Sequence, residues 1–276
     1  MPQCRQTRVR RPAAARPWLA LALALCLVPA RADEPDWRDY AALLAAHVHD
    51  GERHGITLKL VDYRALAADP HYAAALAALA QAPLAQLVDA RQRLAFYINA
   101  YNLLAIKVVV DHQPLASIKE AGNILWPVWK REAGVVGGER VTLDDIEHRR
   151  LRALGEPRVH FAIVCASLSC PDLRDEPYRA ATLDAQLDDQ ARRFLANPGK
   201  GLREDGTRLR VSKIFDWFKE DFLTYLKEQK GIAQPHIAQY LLMYLDEPTR
   251  SALEKIPANE IGVSYFSYNK SLNEQK

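Results

Sequence analysis

The chain has 276 residues, 49% hydrophobic and 26% charged. That composition excludes a disordered or collagen-like polymer and leaves room for one large domain or two small ones. The net charge of +3 lies entirely at one end: residues 1–32 hold six Arg and no acid, and the rest carries 31 basic against 34 acidic residues. A mildly acidic body excludes a nucleic-acid binder, which needs a basic face to release counterions.

Arg5 to Arg16 form a charged flank, and Trp18 to Val28 an apolar run of eleven residues. That run is too short for a bilayer, which needs about 20. Ala30-Arg31-Ala32 follows as an A-x-A cleavage site. The pattern predicts a signal peptide over 1–32 and a periplasmic or secreted product. No later stretch reads as a membrane anchor, so no membrane span is expected after signal removal. Cys4 and Cys26 would leave with the signal. Cys165 and Cys170 would remain in an oxidising compartment.

In chain order, Asp36 to His49 reads as a helix with Tyr40, Leu43, Leu44 and Val48 on one side. Residues 70–88 read as two helical pieces broken by Pro83. Asp89 to Asp111 is the strongest helix, with Leu94, Ile98, Tyr101, Leu104, Ala105 and Val108 at helical spacing. Val135 to Gly138 reads as a turn between short strands, and Thr142 to Asp145 as a capping box for a helix to Leu154. The apolar run Arg158 to Cys165 reads as a buried central strand, followed by a small-residue loop to Pro171. Thr182 to Ala196 is a helix stopped by Asn-Pro-Gly, and Asp205-Gly206 marks a hairpin. Asp216 to Gln229 and His236 to Leu245 read as helices, Gly262 to Tyr268 as a last strand, and 271–276 as a frayed tail. These elements predict an α+β single domain, with a small central β-sheet packed by several helices behind a helical lead-in.

Four stretches carry unusual residues. In Phe96-Tyr97-Ile98-Asn99-Ala100-Tyr101-Asn102, Asn99 and Asn102 share a helix face where Asn is disfavoured. In Leu143-Asp144-Asp145-Ile146-Glu147-His148, Asp144 sits one turn before His148. The third stretch is His160 to Pro171, HFAIVCASLSCP, and the fourth is Ser212 to Phe222, SKIFDWFKEDF. In this order they resemble the domain of unknown function called DUF547, over about residues 84–222. The resemblance implies neither a substrate nor a mechanism, because that family is named for its lack of an assigned activity. It divides the chain into a lead-in at 33–83, a DUF547-like core at 84–222, and C-terminal helices with a final strand at 223–276.

The chemistry these residues suggest is a thiol nucleophile at Cys165. A continuous strand would put His160 roughly 16 Å from it and on the opposite face, so His148 is the expected base. Glu147 or Asp144 would orient that base, and Asn102 or Asn99 would supply an amide to the site. The expected activity is a thiol-dependent hydrolase or acyl transferase at the C-terminal end of 158–165, with a reduced Cys165 of lowered pKa in a cleft. Asn99, His160, Ser167, Ser169, Cys170, Lys213 and Asp221 are the expected binding residues. The alternative is a non-catalytic periplasmic binding or adaptor module for a small molecule, peptide or glycan, with a Cys165–Cys170 disulfide or buried cysteines. Lys213 and Asp221 also read as an ion pair. No cofactor or metal is expected: there is no phosphate-binding Gly loop or H-E-x-x-H, and H-x₄-C-x₄-C is not a common zinc spacing.

Overall fold

The computed structural model describes Met1 and residues 35–275; the apolar run, the cleavage site, Cys4 and Cys26 lie outside the described residues. From Ala32 onward the chain is one compact unit. Its elements are α1 (Arg38–His47), the hairpin β1 (Val48–Arg53) and β2 (Ile56–Val61), α2 (Tyr63–Ala68), α3 (Pro70–Ala80) and the long α4 (Ala90–His112). Next come β3 (Glu132–Val136) and β4 (Glu139–Thr142), a π-helical segment Asp145–Leu151, the single turn α5 (Val159–Ala162) and α6 (Leu183–Leu195). The C-terminal part holds β5 (Leu202–Asp205), β6 (Arg208–Val211), α7 (Ile214–Trp217), α8 (Lys219–Lys230), α9 (Ile237–Leu242), α10 (Glu247–Leu253) and β7 (Gly262–Tyr265).

The fold is α+β, and its centre is α4. Asp89 and Gln92 close a capping box at its start, and nearly every residue from Leu94 to Ile106 is buried. A helix apolar on all sides belongs in a core. By length and composition α4 would also pass for a membrane span, contrary to the sequence reading, but 83% of that window is buried inside the protein. Val108 to Val110 lie within the helix, which runs on to His112.

The sheets are small: β1–β2, β3–β4 and β5–β6–β7, with β7 parallel to β6. The β1–β2 hairpin was not read from sequence; it turns at His54 and Gly55, both at positive φ. The β3–β4 turn falls at Gly137-Gly138 as expected, both with positive φ. The Thr142–Asp145 box forms, with the Asp145 N–H donating to Thr142 Oγ1 at 2.9 Å and the Thr142 N–H to Asp145 Oδ2 at 3.3 Å.

The expected central strand at 158–165 is not a strand. Val159 to Ala162 form one helical turn, begun by Val159, His160 and Phe161 N–H groups donating to Glu156, Pro157 and Arg158 carbonyls. A short apolar run carries no period that separates strand from buried helix. The backbone partners decide, and here no neighbouring strand offers them. Val159 and Ala162 join the apolar core around α4, while Phe161 joins a second core built from α6 to α9. The segment that leads to Cys165 thus lies on the seam between two cores.

The tail is a second correction. Rather than fraying, residues 271–275 thread between three parts of the chain. Asn273 O accepts from Val61 N–H at 2.9 Å, the Gln275 N–H donates to Val61 O at 2.9 Å, and the Leu272 N–H donates to Ala116 O at 2.8 Å. Tyr63 Oη donates to Asn273 Oδ1 at 2.8 Å, and Leu272 and Asn273 are buried. Deleting the chain after Lys270 should therefore cost about 3 kcal/mol, from one buried Leu and several hydrogen bonds offset by the ordering they require. Urea unfolding measures this; an unchanged midpoint would show that the tail contributes nothing.

Candidate active site

α4 fixes the path of the chain into the site through Asn102. Its Nδ2 donates to Ala162 O at 2.9 Å and its Oδ1 accepts from Val164 N–H at 2.9 Å. Asn99, one turn earlier, holds Tyr178 in the same way, with both bonds at 2.8 Å. Both amides are spent on backbone, and neither lines the cavity at Cys165. The expected catalytic role for Asn102 and binding role for Asn99 give way to positioning, because each amide bonds backbone through both its nitrogen and its oxygen, away from the cavity.

Beyond the clip, Ala166 adopts φ +55°, a left-handed turn that a side chain with a Cβ rarely takes. The turn folds the loop back so that the Cys165 N–H meets Cys170 Sγ at 2.9 Å. Both cysteines are free thiols. The tail locks this loop from outside: the Leu168 N–H donates to Ser271 O at 3.0 Å, and Ser169 Oγ accepts from Asn269 N–H at 2.8 Å. Ser169 is therefore a tether. From behind, the buried Lys200 Nζ donates to Cys170 O at 2.9 Å and pairs with Asp172 at 2.6 Å.

Cys165 Sγ lies 3.1 Å from Ser167 Oγ and 3.3 Å from Tyr268 Oη. A thiol bond from Cys170, together with Ser167 and Tyr268, outweighs burial and lowers its pKa to about 6. Burial and the neighbouring Cys165 charge push the Cys170 thiol well up. The two shifts run in opposite directions and favour the thiolate at Cys165 over one at Cys170.

The thiol opens on a cavity of about 300 Å³ that also takes in Glu147, His148, Asp144, His160, Tyr268, Lys119 and Lys270, between apolar walls of Ile163, Trp129, Ile214, Trp217 and Phe218. Burial and the Cys165 charge raise the Glu147 carboxyl to about 7; Tyr101 Oη lies 3.5 Å from its Oε2. The π-helical segment carries Glu147 and His148 to the same cavity, an irregularity common at functional sites.

His148 is not free to act as the expected base. Its Nδ1 is 2.6 Å from Arg152 Nη1, a donor, and its Nε2 is 3.5 Å from Asp144 Oδ1. His160 lines the same cavity, because the helical turn replaces the extended path that had set it far from Cys165. Its Nε2 is 2.8 Å from Asp221, its ring stacks on Phe218 at 4.0 Å, and its buried Nδ1 has no partner among the described residues. Burial lowers the His160 pKa, which favours the neutral ring; a carboxylate at Asp221 calls for the ring proton on Nε2. Asp221 is held well below the carboxylate range: burial opposes, but Arg152, at 2.7 and 2.8 Å, and His160 prevail. Lys213 pairs with Asp216 at 3.1 Å instead of Asp221 and does not line the cavity. Among the described residues no cluster of three His, Cys, Asp or Glu is spaced to hold a metal ion.

Tyr268, Lys119, Lys270 and Arg152 were not singled out from sequence. Arg152 lies a turn beyond the third of the charged residues Glu147, His148 and Arg149, and its spacing of four from His148 was the one available signal.

Residues 85–195 match the family model described as "Protein of unknown function, DUF547". The match supports the domain read from the motifs and takes in the first three of them; the stretch 212–222 lies beyond it. Neither the curated proteins nor the solved structures give a match.

Replacing Cys170 with Ala removes the thiol that shares its proton with Cys165. The pH midpoint of Cys165 alkylation by iodoacetamide, followed by mass spectrometry, should rise from about 6 toward the ordinary thiol value of about 8.5. A midpoint that stays put would mean Ser167 and Tyr268 hold the thiolate without Cys170.

Proposed function

We propose that the protein is a thiol-dependent acyl-transfer enzyme, a hydrolase or acyl transferase, with Cys165 as nucleophile and Glu147 as its acid–base partner. The observation that carries this reading is the pairing, in one cavity, of a thiol favoured as thiolate with a carboxyl poised near neutrality. The charged flank and apolar run of residues 1–32 support an exported enzyme that works outside the cytoplasm.

In the proposed reaction the Cys165 thiolate attacks an acyl carbonyl, forming a C–S bond. Negative charge moves from sulfur to the carbonyl oxygen. The hydroxyls of Ser167 and Tyr268, which solvate the thiolate, are then the donors that follow the charge. Collapse breaks the bond to the leaving group, which takes its proton from the neutral Glu147 carboxyl. Water or an acceptor amine or alcohol then attacks the thioester; Glu147, now a carboxylate, takes its proton, and Cys165 leaves as thiolate. A proton goes out and comes back, so the cycle closes without an added co-reactant.

The pH profile follows from the two directions. The thiolate fraction rises through about 6, and the protonated fraction of Glu147 falls through about 7. The two groups interact, so the limbs belong to the pair. Acylation by a substrate with an alcohol or amine leaving group, which needs that proton, should trace a narrow bell peaking between them. With p-nitrophenyl acetate the chain should give a burst of nitrophenolate and an acetyl adduct on Cys165. Cys165→Ser should give neither. Glu147→Gln should slow thioester breakdown by roughly 10²-fold, the usual worth of general base catalysis, and remove the alkaline limb. A folded protein that shows no adduct would overturn the enzyme reading. A bell left intact by Glu147→Gln would move the proton transfer to His160, which lines the same cavity.

A further inference from the structure

Two lysine side chains line the cavity. Lys119 lies on the short turn Ile118–Ala121, and Lys270 on the tail two residues past Tyr268. Among the described residues neither ammonium has a carboxylate within ion-pair reach, although the surrounding surface is rich in Arg–Asp and Arg–Glu pairs. Both side chains are exposed where they line the cavity. Burial and the neighbouring Lys270 both push the Lys119 pKa down, and the one negative group acting on it is Cys165. Two like charges placed together by segments far apart in the chain carry an unfavourable energy that an anion between them would relieve.

We propose that Lys119 and Lys270 form an anion subsite of the Cys165 cavity, and that the acyl substrate carries a carboxylate held there. This rests on the thiol reading for the word substrate, while the subsite itself stands on the cavity and the lysines. The same cavity is lined by the apolar side chains of Ile118, Ile163 and Trp129. The ligand class that fits is thus a short organic acid with an apolar middle: a carboxylate at one end and the acyl carbonyl facing the sulfur. A neutral acyl group would leave the lysine pair unrelieved. A ligand with a cationic head would meet repulsion.

The test uses two alkylating agents of nearly the same size, iodoacetate and iodoacetamide, on the full chain and on a Lys119→Gln/Lys270→Gln double variant. Taking the ratio of the two rates at Cys165 cancels any change in thiolate fraction. The iodoacetate-to-iodoacetamide ratio should be roughly tenfold higher with both lysines present, as expected for two solvent-facing ion pairs, and added salt should shrink the difference. Hexanoate should protect Cys165 from iodoacetamide, and hexanamide should not. A ratio unchanged by the double substitution would overturn the subsite. If neither reagent labels Cys165, the nucleophile reading fails on its own, and calorimetry with hexanoate and hexanamide decides the subsite. Hexanoate bound selectively and lost in the double variant would uphold it. Hexanoate bound no better than hexanamide would overturn it.

Discussion

The amide of Asn102 sits between a carbonyl and an N–H that belong to the same turn, Ala162 O and Val164 N, and bonds to both. That one side chain fixes where the turn ends and where the path to Cys165 begins. Its rigidity is borrowed from α4, which is buried on nearly every side and cannot rotate without breaking the core. Losing the amide would leave a buried donor and a buried acceptor unpaired, each costing about 1–3 kcal/mol. The left-handed turn at Ala166 depends on this anchor from one side. From the other it depends on the tail, whose Asn273 N–H reaches Ala166 O at 3.2 Å. A residue held at positive φ persists only where its surroundings over-determine it, and here they do so from helix and tail together.

A second chain of contacts ties the remaining motif segments to that frame. His160, Asp221, Arg152, His148 and Asp144 follow one another through hydrogen bonds and ion pairs, with Arg152 gripping Asp221 through two nitrogens. Phe218 lies under both the His160 ring and the Arg152 guanidinium. The Leu143–His148 stretch, the α5 turn and the 212–222 stretch therefore meet in one network. That accounts for His, Asp and Arg at these positions without making each a reacting group. His160 spends one nitrogen on the network, and its other nitrogen has no partner among the described residues.

What the sequence made legible follows from how each part is encoded. α4 and α6 carry apolar residues at helical spacing over many turns, and the Gly137-Gly138 turn and Thr142–Asp145 box are local chemistry; all are found where the pattern puts them. The 158–165 segment is too short to show a period, and its conformation is set by Asn102, about 60 residues away in the chain. The tail has no apolar period because it is held mainly through its backbone, which any sequence supplies. Cys165, Glu147 and His160 were visible because polar residues stand out against apolar runs. Tyr268 was not: an aromatic near a strand end is ordinary, and its contact with Cys165 spans 103 residues. Lys119 and Lys270 look like any surface lysines until the fold brings them to one wall.

The charge balance inside the cavity bears directly on how one carboxyl could serve both halves of the proposed reaction. Cys165 as thiolate is among the causes that keep Glu147 protonated near neutral pH. Once the sulfur is acylated, it carries no charge. The repulsion that raised the Glu147 pKa disappears, and the group moves back toward the ordinary carboxylate range. Glu147 thus becomes a stronger acid at the moment the leaving group needs a proton, and it stays ionised while the thioester waits for a nucleophile. When the thioester breaks, the returning thiolate raises the Glu147 pKa again and favours its keeping the proton taken from water. No movement of the chain is required. The alternation follows from the repulsion between Cys165 and Glu147 in one cavity, which acts while the sulfur is a thiolate and vanishes while it is acylated.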